Sequence, residues 1–266
     1  MPAKPKLGQN FLTDAQAVER IAAAMGDLSA RTVVEIGPGH GAITGALAVR
    51  AAHVTAIELD HDLAMLLRVR FSPERVTVVE QDVLQFDFAA AAAATGQRLR
   101  VAGNLPYYIT SPILLHLAAH CAALDLAVLM VQREVADRVA AAPGSRDYGL
   151  LSVTAQMYGR VEKLFTLPPA AFSPPPEVHS TVIRWRFAPR FAELGVEEAG
   201  FLRFVRQTFA QKRKTLANNL RAAGVAPATV TAALAHAQID AQARAETLPL
   251  ETFAALWHGL QAEGAA

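Results

Sequence analysis

Two hydrophobic periods alternate along the first two-thirds of this chain. Residues 14–25 carry Val18, Ile21, Ala22 and Met25 at helical spacing, with Thr13 or Asp14 able to cap the start. The β-branched run 32–36 then predicts a strand, which breaks at Gly37-Pro38-Gly39-His40-Gly41. A helix is expected from there to about Arg50. The pattern repeats: strand 54–57 ending at Glu58, helix 61–70, strand 76–79 ending at Asp82, and strand 98–103. Helix 112–120 follows, and the apolar run 126–131 reads as a strand buried on both faces. Two later β-like runs, 151–158 and 181–187, flank a Pro-rich segment at 168–176.

Strands alternating with helices predict βαβ units, a parallel sheet and ligand binding at the carboxyl ends of the strands. The last two β-like runs suggest an antiparallel pair at one edge. Beyond Pro189 the pattern becomes short helices, broken at Gly224-Val225-Ala226-Pro227 and Thr247-Leu248-Pro249. A boundary is therefore expected near residue 188, giving an α/β domain over 1–188 and a small all-helical domain over 189–266. No internal repeat is visible.

Composition narrows the classes. With 266 residues, 52% of them hydrophobic, the chain can build one full core and a smaller appendage. A net charge of +1 excludes a polycation, so any nucleic-acid contact must come from local clustering of basic residues. The single cysteine, Cys121, excludes a disulfide framework and a Cys-rich zinc site, and no metal site is expected. The amino-terminal residues Met1, Lys4 and Lys6 precede no apolar core of a secretory signal, and no apolar stretch is long enough to span a bilayer. The expectation is a cytoplasmic protein with no membrane partner.

The glycine run follows a strand and opens a helix, which suits close approach of backbone amides to a ligand. Glu58 lies about twenty positions beyond it, where an acidic side chain can hold both ribose hydroxyls. Gly37, Gly39 and Ala42 also satisfy the looser dinucleotide fingerprint. Glu35, just before the turn, could receive an amino group or could be a plain structural carboxylate. Asp82 is placed to take an adenine amine. An adenosine that carries a charged amino acid, S-adenosylmethionine, fits both carboxylates.

Asn104-Leu105-Pro106-Tyr107 emerges at the end of strand 98–103. Alone, this tetrapeptide could be a turn. Its amide, carbonyl and aromatic ring also suit a grip on a planar base and its exocyclic amine.

Five segments, in this order and spacing, carry a resemblance nearly end to end. They are Gly8-Gln9-Asn10-Phe11-Leu12, Glu35-Ile36-Gly37-Pro38-Gly39, Asn104-Leu105-Pro106-Tyr107, Phe172-Ser173-Pro174-Pro175-Pro176 and Lys212-Arg213-Lys214-Thr215-Leu216. The chain resembles the ribosomal RNA adenine dimethyltransferases that act on small-subunit 16S RNA. The resemblance implies a Rossmann-like, seven-stranded S-adenosylmethionine-dependent methyltransferase domain followed by a small helical domain. It implies that Asn10, Leu12, Gly37, Glu58, Asp82 and Asn104 line the cofactor site, with Asn10 and Leu12 as a flap. Lys212-Arg213-Lys214 departs from the two arginines expected before the lysine, which keeps the charge and alters only phosphate geometry. The Ala-rich stretch 88–97 looks like a family-variable loop.

The resemblance implies transfer of two methyl groups to each of two adjacent adenines, in a 3′-terminal hairpin loop of 16S rRNA within the 30S subunit. An exocyclic adenine amine is a poor nucleophile, so the protein's task is orientation. The Asn104 oxygen and the Pro106 carbonyl are expected to accept hydrogen bonds from that amine, with no general base. Tyr107 and Phe172 are expected to stack on its two faces, at about 1–3 kcal/mol per base, the alternative for Phe172 being a loop aromatic that plugs the core. Residues 201–224 contain Arg203, Arg206, Lys212, Arg213, Lys214 and Arg221 and no acidic residue. That pattern predicts an RNA-binding face around Arg206, Lys212, Arg213 and Lys214, with Phe201, Phe204 and Phe209 on the buried side. The protein is expected to work as a monomer. Leu105 and the Pro-rich Phe172 loop favour the 16S reading over the resistance-type relative that acts on 23S RNA, whose tetrapeptide usually has Ile after Asn. An NAD-dependent oxidoreductase leaves the tetrapeptide without a role, and a non-catalytic assembly factor would not need the cofactor residues.

Overall fold

The computed structural model describes residues 9–264; residues 1–6, discussed above for a secretory pattern, and Gly8 of the first matched segment lie outside them. The first half of the chain forms β1 (Phe11–Leu12), α1 (Ala15–Ala24), β2 (Thr32–Ile36), α2 (Ala42–Arg50), β3 (His53–Glu58), α3 (His61–Arg70), β4 (Val76–Glu80), α4 (Phe88–Thr95), β5 (Leu99–Asn104), α5 (Thr110–Ala119) and β6 (Leu124–Gln132). The second half adds α6 (Arg133–Val139), α7 (Leu150–Tyr158), β7 (Gly159–Leu167), β8 (Phe172–Ser173), β9 (Ser180–Phe187), α8 (Glu198–Thr208), α9 (Leu216–Ala222), α10 (Pro227–His236) and α11 (Leu250–Ala262). No helix among the described residues is long and apolar enough to cross a membrane.

The main sheet has seven strands in the order β4-β3-β2-β5-β6-β9-β7. The strands from β4 to β6 pair in parallel, and β9 runs antiparallel to β6. The chain leaves β2 toward one edge through β3 and β4, then returns to β5 on the other side of β2. A doubly wound sheet offers its ligand crevice at such a reversal. Local chemistry fixes where the flanking helices start. Asp14 caps α1 by accepting from Gln16 N at 2.9 Å and Ala17 N at 3.0 Å, and Asp60 caps α3 in the same way. Ile21 and Ala22 of α1 and Met25, which caps it, share one core with Leu47 of α2 and with Val33, Val54 and Ala102 of the sheet. The sheet and helices therefore realise the βαβ units and parallel sheet expected from the strand–helix alternation, in the Rossmann-like, seven-stranded form that the resemblance implies.

The chain separates into two compact units. One contains the residues up to Ala136 together with Arg160–Phe187; the other contains Asp137–Gly159 and the residues from Ala188 onward. A single division near residue 188 therefore misses an excursion: residues 137–159 belong with the helical unit, not with the sheet. The cause is α7, which buries Ser152, Val153, Thr154, Ala155, Met157 and Tyr158. The Tyr158 hydroxyl donates to Glu198 Oε1 of α8 at 2.6 Å, and the Tyr148 hydroxyl donates to the Leu248 carbonyl at 2.9 Å.

Three sequence readings are corrected. Residues 151–158 are helical, because burial on nearly every side leaves no polar face to set a helical period. The edge strand of the main sheet is β7, whose mostly part-exposed residues hid it. The Ala-rich stretch is α4, capped by Asp87, which accepts from Ala90 N, and stopped by Gly96 in the left-handed region.

Candidate active site

β2 ends at Ile36, and the chain must turn at once into α2. Gly37, with φ +62°, and Gly39, with φ +57°, make that turn in the left-handed region, where a side chain is strained. A Cβ on Gly39 would also stand 2.9 Å from Phe11 Cδ1. The bare backbone therefore lets the segment around β1 lie across the turn, with the Phe11 ring 4.0 Å from the His40 ring.

That segment is pinned at both ends. β1 pairs antiparallel with β8, Phe11 opposite Ser173 and Leu12 opposite Phe172. Thr13 fixes its far end, donating from its amide and its hydroxyl to the Ala171 carbonyl at 2.9 and 3.1 Å. Asn104 fixes the near end: its Nδ2 donates to the Asn10 carbonyl at 2.8 Å. This bond orients the Asn104 amide and leaves Oδ1 as its acceptor.

Around the turn lies a cleft open to solvent. Asn10, Leu12, Gly37, Glu58, Asp82, Asn104, Pro106 and Tyr107 all line it, so eight positions chosen from the sequence meet in one place. Glu58 ends β3 and is buried; its Oε2 accepts from Gly39 N at 3.1 Å and its Oε1 from Asp60 N at 2.9 Å. Burial raises its pKa, and those two amides oppose the shift. Each oxygen keeps a lone pair for a vicinal diol. Asp82 uses Oδ1 to accept from Leu84 N at 2.9 Å, so its orientation is set by its own turn.

Glu35 contributes to the same wall and is only 1% exposed. Its Oε2 has neither solvent nor a hydrogen-bond partner, and Thr44 Oγ1 on α2 lies toward the carboxyl without completing a bond to it. Burial pushes the Glu35 pKa up to about 8; the Thr44 hydroxyl opposes this, Glu58 adds to it, and the Thr44 amide opposes it. The described lining carries three carboxyl groups, from Glu35, Glu58 and Asp82, and no lysine or arginine. Such a wall fits a ligand that joins an adenosine to a positively charged group.

At the base end the structure gives two of the expected residues intramolecular partners. The Pro106 carbonyl already accepts from the Thr110 hydroxyl at 3.0 Å and from Ile109 N at 3.2 Å, because it starts the turn into α5. Both lone pairs are engaged, and Asn104 Oδ1 is the acceptor left for an amine. Phe172 does not face the cleft: its ring is 4% exposed and packs in the core with Leu12, Leu167 and Val182. It pairs opposite Leu12 and so supports the β1 segment. Tyr107 is held by its hydroxyl, 2.6 Å from Ser180 Oγ. The residue that the sequence reading overlooked is Tyr108, which lines the cleft and is 58% exposed. Its only signal was a second tyrosine directly after the tetrapeptide.

The basic residues lie in the helical unit. Arg206, Lys212, Arg213 and Lys214 are exposed, while Phe201 and Phe204 are buried beneath them and Phe209 is half-buried. Lys212 and Lys214 line a solvent-open pocket together with Arg138. Their turn is held from below by Asn219, which is 3% exposed. Asn219 Nδ2 donates to the Thr208 carbonyl at 2.7 Å and the Gln211 carbonyl at 3.2 Å, and its Oδ1 accepts from Gln211 N at 3.1 Å.

Residues 2–261 match the family model described as Ribosomal RNA adenine dimethylase. The Acidobacterium capsulatum protein named Ribosomal RNA small subunit methyltransferase A is 62% identical over 259 residues, which is 97% of this chain and 91% of that protein. The Koribacter versatilis protein of the same name is 49% identical over 270 residues, 97% of this chain and 94% of that one. Among solved structures, the 23S rRNA methyltransferase ErmE superposes with a TM-score of 0.73 at 27% identity, covering 95% of this chain and all of that one. A dimethyladenosine transferase from Plasmodium falciparum has the same fold, with a TM-score of 0.82 at 23% identity over 96% of this chain and 98% of that one.

Proposed function

The chain belongs to the ribosomal RNA adenine dimethylase family and is a ribosomal RNA methyltransferase; on that premise we propose that it dimethylates two adjacent adenines of 16S rRNA with S-adenosylmethionine. The target is the 3′-terminal hairpin loop within the 30S subunit, and the protein acts as a cytoplasmic monomer. The observation that carries the reading is Asn104, whose amide nitrogen is taken by the flap while its oxygen remains at the end of β5 in the carboxylate-lined cleft.

In this reading Glu58 holds the ribose, Asp82 the adenine amine and Glu35 the charged amino-acid end of the cofactor. Gly37 and Gly39 give the backbone room at the turn, and Asn10 and Leu12 close over it as a flap. The bound cofactor supplies an electrophilic methyl carbon and its own leaving group. Asn104 Oδ1 accepts a hydrogen bond from the substrate amine, drawing its lone pair out of the ring and toward that carbon. The transferred product is acidic and loses its proton to water, so the site needs no strong base. Tyr107, and Tyr108 with its exposed ring, offer aromatic surface to a base taken out of its stack, which costs a few kcal/mol. Arg206, Lys212, Arg213 and Lys214 contact phosphates of the preassembled particle.

The test is methyl transfer from labelled S-adenosylmethionine to undermethylated 30S subunits, with 50S subunits and free 16S rRNA in parallel. Label on 30S alone supports the reading. Label on 50S-derived RNA moves the protein to a 23S-modifying role, and bound cofactor with no label anywhere points to assembly without catalysis.

A further inference from the structure

The cleft holds a feature that orientation of the cofactor alone does not need. Glu35 is buried, its Oε2 is unpartnered, and its surroundings carry no positive charge: Glu58 stands across from it on β3, Thr44 faces it from α2, and His40 and Asp82 line the same cleft. An unpaired carboxylate in such a place is costly in its ionised form. A cationic ligand brought against it reverses that preference.

We propose that Glu35 exchanges its proton for the ammonium group of the cofactor: the carboxyl is neutral in the free protein and ionised in the complex, so cofactor binding releases a proton. This rests on the reading of the cleft as an S-adenosylmethionine site. The step balances as a carboxylic acid plus a ligand ammonium giving a carboxylate–ammonium pair and one proton in solvent. It makes Glu35 a positioning residue with a second consequence. Cofactor affinity rises with pH below the point at which the free carboxyl ionises, which burial places near 8. The ionised carboxyl pairs only with adenosines that carry a charged amino-acid end; a neutral adenosine gains nothing from it and leaves the proton in place.

The probes are S-adenosylhomocysteine, which keeps the ammonium, and 5′-methylthioadenosine, which keeps the adenosine and lacks the amino-acid end. Calorimetric titration at pH 7 in buffers of different ionisation enthalpy counts the protons released. S-adenosylhomocysteine is expected to release close to one proton from the wild-type protein, and its Kd to fall by up to about tenfold from pH 6 to pH 7. Methylthioadenosine is expected to release none; because it carries the ribose, it controls for Glu58. Glu35→Gln, which replaces a neutral acid by a neutral amide of the same shape, is expected to remove the proton release and flatten the pH dependence. Equal proton counts for the two ligands, or for wild type and the Gln variant, would overturn the proposal while leaving the cofactor site intact. No binding of either ligand would overturn both. If the variant does not fold, the comparison of the two ligands on the wild-type protein still decides.

Discussion

Replacing Phe172 by Ala separates the two roles an aromatic can have at this position. The ring is 4% exposed and lies in the core beside Leu12, Leu167 and Val182. Burying an aromatic side chain removes about 150–250 Å² from water, roughly 4–6 kcal/mol at 25 cal/mol per Å² and an upper bound. Measured Phe→Ala changes in cores cost about 3–5 kcal/mol, cavity included, which is two to nearly four decades in a folding equilibrium. Because Phe172 sits opposite Leu12, the loss falls on the flap as well as on the core. Urea unfolding and S-adenosylhomocysteine titration of the same preparations are the assays. Both stability and cofactor affinity are expected to drop, with Phe172→Leu losing much less of each. A variant of unchanged stability and cofactor affinity that is slow only toward RNA would refute this packing argument and return Phe172 to a face of the base.

Neutralising Lys212, Arg213 and Lys214 together should lower the slope of log K against log salt by about 2 for RNA binding, as expected for three lost phosphate contacts; an unchanged slope would remove them from the interface. Asn219→Ala leaves three backbone groups of the preceding turn without their buried partner. It should cost about 1–3 kcal/mol of stability or more and reduce the same salt slope, a pairing that the denaturation midpoint and filter binding read separately. Glu35 gives a pH signature in stability. Its folded pKa lies above the usual carboxylate value of 4.5, at about 8, so the native state holds the proton more tightly across that window. Its contribution to stability therefore falls as pH rises from 4.5 toward 8, and Glu35→Gln should flatten this part of the denaturation profile. A steeper fall in the variant would contradict the burial argument.

The parallel part of the sheet was legible because its strands are apolar runs, three of which carry a polar residue at or next to the end that reaches the cleft: Glu35 before Ile36 on β2, Glu58 on β3, Asn104 on β5. The same rule gathered the cleft residues, since strand ends on either side of a reversal converge in any doubly wound sheet. What escaped depends on partners distant in sequence. Phe172 is buried because β8 pairs with β1, and nothing local distinguishes a buried phenylalanine from a stacking one. Pro106 loses its free carbonyl to a threonine four residues on, a bond that needs the onset of α5 to be known. The segment 137–159 leaves the sheet unit and joins the helical one, whereas a boundary drawn from composition assumes that each unit is continuous. Tyr108 and Tyr107 are alike as residue types, and only the fold makes one of them exposed.

The most direct test of the central claim is mass spectrometry of the nuclease-derived oligonucleotides of 16S rRNA recovered from undermethylated 30S subunits after incubation with the protein and S-adenosylmethionine. Two adjacent N6,N6-dimethyladenosines in the 3′-terminal hairpin are the predicted product. Monomethylated adenine as the end point, or dimethylation confined to another site, would contradict the account.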